Sequence, residues 1–383
     1  MTHPTILLAP DKFKGSLDAA DVAHHLAEGI RDEDPRILVR RSPIADGGEG
    51  TVAAALAAGW SARRATVEGP TGLPVEATYA VDGARAVIEL AESCGLQRLP
   101  AGRLAPWAAS TYGLGQIIAA AVDAGATEVI VGLGGSASTD GGAGVLQALG
   151  GMILDRNGES VGRGARHLGS TTTIDLSAAR ARLAGVRIVA ACDVTNPLLG
   201  PEGAAHVFGP QKGLRSNDLL VAEAGLDAFA RAVCGPTRAG LSSVPGAGAA
   251  GGTGFALLAL GATFRPGIDV VADLIGLEEQ ISLADLVVVG EGSLDVQSLA
   301  GKGPLGVARL AGSLGVPVIA VVGRNCLSPA QAAGGGLMTV LDLISLDPDP
   351  DRCVRYAPEL LRRTGGQVAR LARDRCERAP SLD

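Results

Sequence analysis

Four of the 33 basic residues in this chain are lysines, and each lies within three residues of a glycine: Lys12 and Lys14 in PDKFKGS, Lys212 in GPQKG, and Lys302 in AGKGP. A lysine ammonium is a compact point charge that closes on phosphate or carboxylate oxygens, whereas arginine suits planar, bidentate pairing. Carboxylates accompany the lysines. Asp11 precedes Lys12, Asp46 and Glu49 punctuate ADGGEGT, Asp193 opens DVTNPLLGPEGA, and Glu291 and Asp295 fall in GEGSLDVQS. A carboxylate so placed can orient an attacking hydroxyl, accept its proton or ligate Mg2+. A further stretch, VGLGGSASTDGGAG at 131–144, holds six glycines in fourteen residues. Backbone this bare exposes amide groups that bind anions, with Gly134, Gly135 and Ser136 offering amides and Ser138, Thr139 and Asp140 side chains. Lysines, acids and a glycine-rich loop are the parts that phosphoryl transfer requires.

Other chemistries find less support. Before Lys302 a Walker A loop would need glycine at Val296 and a hydroxyl residue at Gly303. PGAGAAGGTGF contains a GxGxxG match at Gly246, Gly248 and Gly251, preceded by LSSVP, which reads at most as a weak strand. A dinucleotide site there, serving an NAD-dependent hydroxy-acid dehydrogenase, is the rival reading; a sugar-acid sensor is a third. The six cysteines are scattered without a CxxC pair or a nearby histidine, against zinc and against a disulfide framework. A net charge of −7 without a basic block disfavours nucleic acid. The uncharged stretches 104–122 and 239–264 are broken by Gly, Pro, Ser and Thr, so no membrane span is expected. The N-terminus has no signal-peptide pattern, and a cytoplasmic protein is expected. Oligomeric state is left open.

These groups must be positioned by an α/β scaffold. TILLAP, ILVRRSPIA, EVIVGL, RIVAAC, DLVVVG, PVIAVVG and LMTVLDL read as strands, alternating with Ala/Leu-rich helical segments. The first helix is expected from about Ser16, acting as cap, and the last over about 353–376. From 66 to 90 the pattern turns to extended segments without helices between them. A chain of 383 residues exceeds one core. The expected fold is α/β with two domains: a flavodoxin/Rossmann-like doubly wound domain from residues 1–66 and 283–383, with a second α/β domain, 67–282, inserted. Ligands in such sheets bind beyond the carboxyl ends of the strands, where these polar segments fall; the cleft between the domains is the expected active site.

Taken together, APDKFKGSL, PIADGGEGT, VGLGGSASTDGGAG, CDVTNPLLGPEGA with VFGPQKG, PGAGAAGGTGFAL and the GEGSLD…GKGP segment resemble the bacterial type-1 glycerate kinases, in family order over nearly the whole chain. The resemblance implies ATP-dependent phosphorylation of D-glycerate with Mg2+, giving 2- or 3-phosphoglycerate, the 2-isomer favoured; a kinase acting on a related sugar acid is the alternative. Ser293 departs from it, since many members carry arginine or another residue there. In this reading Asp193 orients or deprotonates the hydroxyl, and Lys14 and Lys302 hold the carboxylate or transferring phosphoryl group. Asp11, Lys12, Asn196, Lys212 and Glu291 line the substrate or phosphate sites, and Asp46 and Asp295 face the metal.

Overall fold

The computed structural model describes residues 3–235, 240–296, 298–301 and 303–378. Among them run thirteen strands: β1 (Thr5–Pro10), β2 (Leu38–Arg41), β3 (Ser61–Glu68), β4 (Pro74–Asp82), β5 (Arg85–Glu89), β6 (Glu128–Gly132), β7 (Met152–Leu154), β8 (Thr173–Asp175), β9 (Arg187–Ala191), β10 (Thr263–Arg265), β11 (Leu286–Leu294), β12 (Val318–Asn325) and β13 (Thr339–Asp342). The chain divides into two compact units, one of Met1–Asp46, Ala53–Ala58 and Gly267–Asp383, the other of Gly47–Val52 and Gly59–Pro266.

In the first unit five strands form a sheet in the order β13-β12-β11-β1-β2, every pair parallel. Numbered within the unit this is 2-1-3-4-5, the doubly wound order expected of both chain ends. Ile6, Leu7, Leu8 and Ala9 of β1 are wholly buried, as a strand covered on both faces requires. Beyond β2 the chain keeps company with β1: Ser42 N donates to Leu8 O at 2.8 Å and Ile44 N to Pro10 O at 2.9 Å. That path delivers Asp46 toward the carboxyl end of β1.

The first helix starts later than expected, at Ala19, and runs to Glu33. Phe13 and Leu17 exchange backbone hydrogen bonds, so Ser16 is spent in that turn. Asp18 is the cap, its carboxylate accepting from Asp21 N at 2.7 Å. The C-terminal helical stretch is likewise two helices, Pro350–Arg355 and Ala357–Arg378. Pro358, lacking an N–H and crowding the carbonyl of Val354, prevents one continuous helix. The helix Ala357–Arg378 packs on Ala19–Glu33 through glycines. A Cβ at Gly29 would stand 1.9 Å from Arg362 O, and one at Gly365 2.4 Å from Leu26 O.

The second unit holds a six-stranded sheet, β10-β9-β6-β5-β4-β3. β5, β6, β9 and β10 are parallel, while β3, β4 and β5 form an antiparallel meander, the helix-free extended region anticipated from 66. β3 pairs with β4 along its whole length, from Ser61↔Val81 to Glu68↔Pro74. The strand therefore belongs to the second sheet from Ser61 onward, ahead of the expected boundary at 66. The helices Gly267–Ile275 and Leu277–Ser282 count with the first unit, ahead of the expected 283. The second unit's core includes Phe229 and Phe255, edge to face with centroids 5.9 Å apart.

Candidate functional site

The carboxyl end of β1 gathers acids. Asp11 follows the strand directly; its amide donates to Gly290 O at 2.8 Å, and its Oδ1 accepts from Lys12 N at 2.7 Å. Burial, reinforced by the nearby Asp46 carboxylate, pushes the Asp11 carboxyl up to about 7, and Glu291 adds to the same effect. Glu291 is also pushed up to about 7, by burial and by Asp295 and Asp46, although a hydrogen bond with Ser298 works against this. One of its oxygens, Oε1, is buried with no hydrogen-bond partner. Asp46 thus acts on both Asp11 and Glu291, and Asp295 on Glu291, all four being acids chosen from the sequence. GEGSL does not lie beyond the strand DLVVVG as expected but extends it. β11 continues through Leu294, pairing Glu291 with Val322 and exposed Ser293 with Arg324. Lys14 is exposed on the turn between Phe13 and Leu17, its amide nitrogen 3.4 Å from where a Cβ on Gly292 would lie. Lys302 lies outside the described residues.

In the second unit the glycine-rich loop leaves β6 and is anchored on both sides. Gly135 O accepts from Leu96 N at 2.9 Å, Ala137 N donates to Cys94 O at 3.0 Å, and Gly141 N donates to Gly251 O at 2.9 Å. Gly135, at φ +73°, is the exposed point of the turn, with half-buried Gly134 beside it. Ser138, Thr139 and Asp140 were expected to face a ligand; all three are fully buried instead. Asp140 Oδ2 accepts from Thr111 N (2.8 Å), Thr111 Oγ1 (2.9 Å) and Gly144 N (3.3 Å), and Oδ1 accepts from Gly142 N (3.1 Å). A carboxylate so filled ties the loop to the two segments behind it. The Ser138 Oγ and Thr139 Oγ1 hydroxyls are buried without hydrogen-bond partners.

Lys212 is also turned inward. It is 2% exposed, and its Nζ donates to Ser136 Oγ at 3.0 Å and Ser138 O at 2.5 Å. Burial brings the ammonium down to about 7, with the Asp140 carboxylate opposing. Asp193 follows β9 with its Oδ2 buried. Asn196 spends its side chain on a turn, Nδ2 donating to Glu202 O at 2.8 Å, while its carbonyl accepts from Gly248 N at 2.9 Å.

The GxGxxG glycines serve the protein's own packing. LSSVP is not a strand; Leu241–Ser243 is a single 3-10 turn. A Cβ at Gly246 would meet the Phe264 ring at 2.7 Å, at Gly248 Pro197 O at 2.2 Å, and at Gly251 Ser138 O at 2.1 Å. The strand-to-helix setting of a dinucleotide loop is absent, which removes the basis for the dehydrogenase reading.

Sequence reasoning missed Glu89. This buried acid at the end of β5 accepts from Val52 N at 2.5 Å and Gly50 N at 3.1 Å, holding the ADGGEGT segment in place. Its signal was its place at a strand's carboxyl end. Thr111 and Ser298 carried no such signal. Among the described residues, His24, His25 and Glu28 are the one group of three His, Cys, Asp or Glu side chains with ligand atoms all within 4.8 Å, and Arg362 already pairs with Glu28. Asp46 and Asp295 belong to no such group. Mg2+, however, commonly takes one or two carboxylates and completes its shell with water and phosphate oxygens. The hard oxygen donors around Asp11 fit that demand. No helix among the described residues is long and apolar enough to cross a membrane.

Residues 6–373 match the model of the glycerate kinase family. The chain is 44% identical over 368 residues to the glycerate 2-kinase of Escherichia coli (strain K12), covering 95% of this chain and 97% of that one. It is 40% identical over 368 residues to the glycerate kinase of Bacillus subtilis (strain 168), covering 95% and 96%. A crystal structure from Salmonella typhimurium LT2, described as a candidate glycerate kinase 2, superposes with a TM-score of 0.83 at 37% identity, covering 98% of this chain and 100% of that one.

Proposed function

The chain belongs to the glycerate kinase family, a phosphotransferase family, and on that premise we propose that it transfers the γ-phosphoryl group of ATP to the 2-hydroxyl of D-glycerate with Mg2+ present. The observation that carries this reading is the cluster of carboxylates at the ends of β1 and β11, where Asp11 and Glu291 are held above the usual carboxylate range by burial and by neighbouring Asp46 and Asp295, a cost that a divalent cation would relieve. Asp46 and Asp295 would hold the ion, with Asp11 and Glu291 beside them. Mg2+ supplies charge neutralisation for the phosphate oxygens. The preference for the 2-hydroxyl draws on the name of the Escherichia coli relative.

In this reading Asp193 hydrogen-bonds the glycerate hydroxyl and receives its proton. The hydroxyl oxygen forms a bond to the γ-phosphorus as the bond to the β-phosphate oxygen breaks, releasing ADP. Lys14 and Lys302 steady the substrate carboxylate or the moving phosphoryl group. Gly134 and Gly135 present amides to an anion at the exposed edge of their loop.

A coupled assay tests the reading. ADP release that depends on D-glycerate, with the product identified by NMR as 2-phosphoglycerate, is the expected outcome; NADH formation from the same acid without ADP release would overturn it. Asp193→Asn is expected to lower kcat by about 10^3-fold with folding intact. Near-wild-type turnover in that variant would remove Asp193 from the mechanism.

A further inference from the structure

We propose that Lys212 is a positioning residue for phosphoryl transfer, pinning the glycine-rich loop 134–140 against the left-handed turn 250–252 so that the loop's exposed edge is held in shape for an anion. The proposal rests on the phosphotransferase reading above. Two segments distant from Lys212 in the sequence meet at its ammonium. From the loop come Ser136 Oγ at 3.0 Å and Ser138 O at 2.5 Å. Ser136 Oγ in turn lies 3.2 Å from Ala250 O and 3.2 Å from Ser138 O, so its hydroxyl can pass the connection on to either carbonyl. From the turn, Ala250, Gly251 and Gly252 all have positive φ, at 52°, 69° and 92°. A non-glycine residue in that conformation is costly and persists only where its surroundings enforce it.

The closeness of the pieces shows what the lysine replaces. A Cβ on Gly251 would lie 2.1 Å from Ser138 O and 2.9 Å from Lys212 Nζ, so the turn carries no side chain there and the ammonium fills the junction. The charged group facing it is Asp140, which is itself hydrogen-bonded to Thr111, Gly142 and Gly144 behind the loop. An ammonium 2% exposed with two protein oxygens already bound is poorly placed to meet a phosphate directly. It is well placed to fix Ser136 and Ser138, one and three residues beyond exposed Gly135. A glycine-rich loop has much conformational freedom to lose on binding, and an internal anchor removes that freedom beforehand.

The test uses the intact protein and two kinds of readout. In Lys212→Met, hydrogen exchange of ligand-free protein is expected to quicken at least tenfold in 133–142 and 249–253 and to stay unchanged in the first unit. KM for ATP is expected to rise about tenfold or more. Millimolar methylammonium added to Lys212→Ala is expected to restore part of the lost kcat/KM. Ser136→Ala keeps the lysine and removes one partner; it is expected to shift exchange and KM in the same direction by a smaller factor, and it carries the test if the lysine variants do not fold. A raised KM with exchange unchanged in both loops would make Lys212 a direct ligand of substrate and overturn the proposal. Unchanged exchange and kinetics in folded Lys212→Met would overturn it as well. If wild-type protein releases no ADP with D-glycerate while the exchange effect holds, the substrate reading fails and the anchor stands.

Discussion

Asp11 and Glu291 make a prediction about pH. A carboxyl whose folded value lies near 7 binds its proton more tightly folded than unfolded. Its stabilising contribution is full below the unfolded carboxylate value, near 4, and is lost as pH rises through about 7. Above that pH the group is a cost retained for function. Asp11→Asn and Glu291→Gln are therefore each expected to raise stability at pH 8 by on the order of 1 kcal/mol, or about 2–4 °C in Tm, and to abolish turnover. The gain should vanish at pH 4. Unchanged Tm in both variants at pH 8 would refute a cost of holding these carboxylates charged in the folded chain. The residue types that matter here were legible in the sequence, because acids and lysines beside glycines at strand ends are unusual. Their orientation was not: Lys212, Ser138, Thr139 and Asp140 carry ligand-type chemistry and face inward.

Among the elements, the buried strands were the most legible. Short runs such as ILLA or VVV, rich in β-branched and aliphatic residues and bounded by turn signals, are what strands of a parallel sheet buried on both faces look like. Ends were less so. The first helix begins at Ala19 because Phe13 and Leu17 close a turn before it, and β11 runs on to Leu294 because β12 is there to pair with it. Close helix contacts left only glycines as a trace. Gly29→Ala would press a methyl against the backbone of Arg362 at 1.9 Å. Such overpacking typically costs about 1–3 kcal/mol, and the variant is expected to lose several degrees in Tm while keeping kcat/KM at temperatures where it is folded. A Tm within a degree of wild type would show that the helices part without penalty.

For the whole molecule, family membership sets the ligand expected to bind. A ligand that binds only the folded chain stabilises it by about 2.7 kcal/mol at a hundredfold excess over Kd. ATP with Mg2+ is expected to raise Tm by several degrees, and NADH at the same concentration by nothing measurable. The reverse result would restore the dehydrogenase reading that the turn at 241–248 removed. The fold's two halves were legible because the alternation of strand and helix at both chain ends breaks between them. The division itself comes a few residues ahead of the expected break at 66, since the helix Thr51–Ala57 has ended and β3 pairs with β4 from Ser61.

By itself the sequence determined the fold class and the family, and it supplied a short set of candidate residues for the chemistry. Composition, strand-like runs and six ordered motifs are local and can be read from a single chain. Only the tertiary structure decided which of those residues meet. Burial, partner and distance depend on segments far apart in the sequence, as with Lys212 against Ser136, Asp140 against Thr111, and Asp11 against Glu291. The same glycine-rich string could have presented all its polar side chains outward. Hydrogen bonds from distant segments hold Ser136 and Asp140 inward, Ser138 and Thr139 are buried with them, and Gly134 and Gly135 are left at the edge.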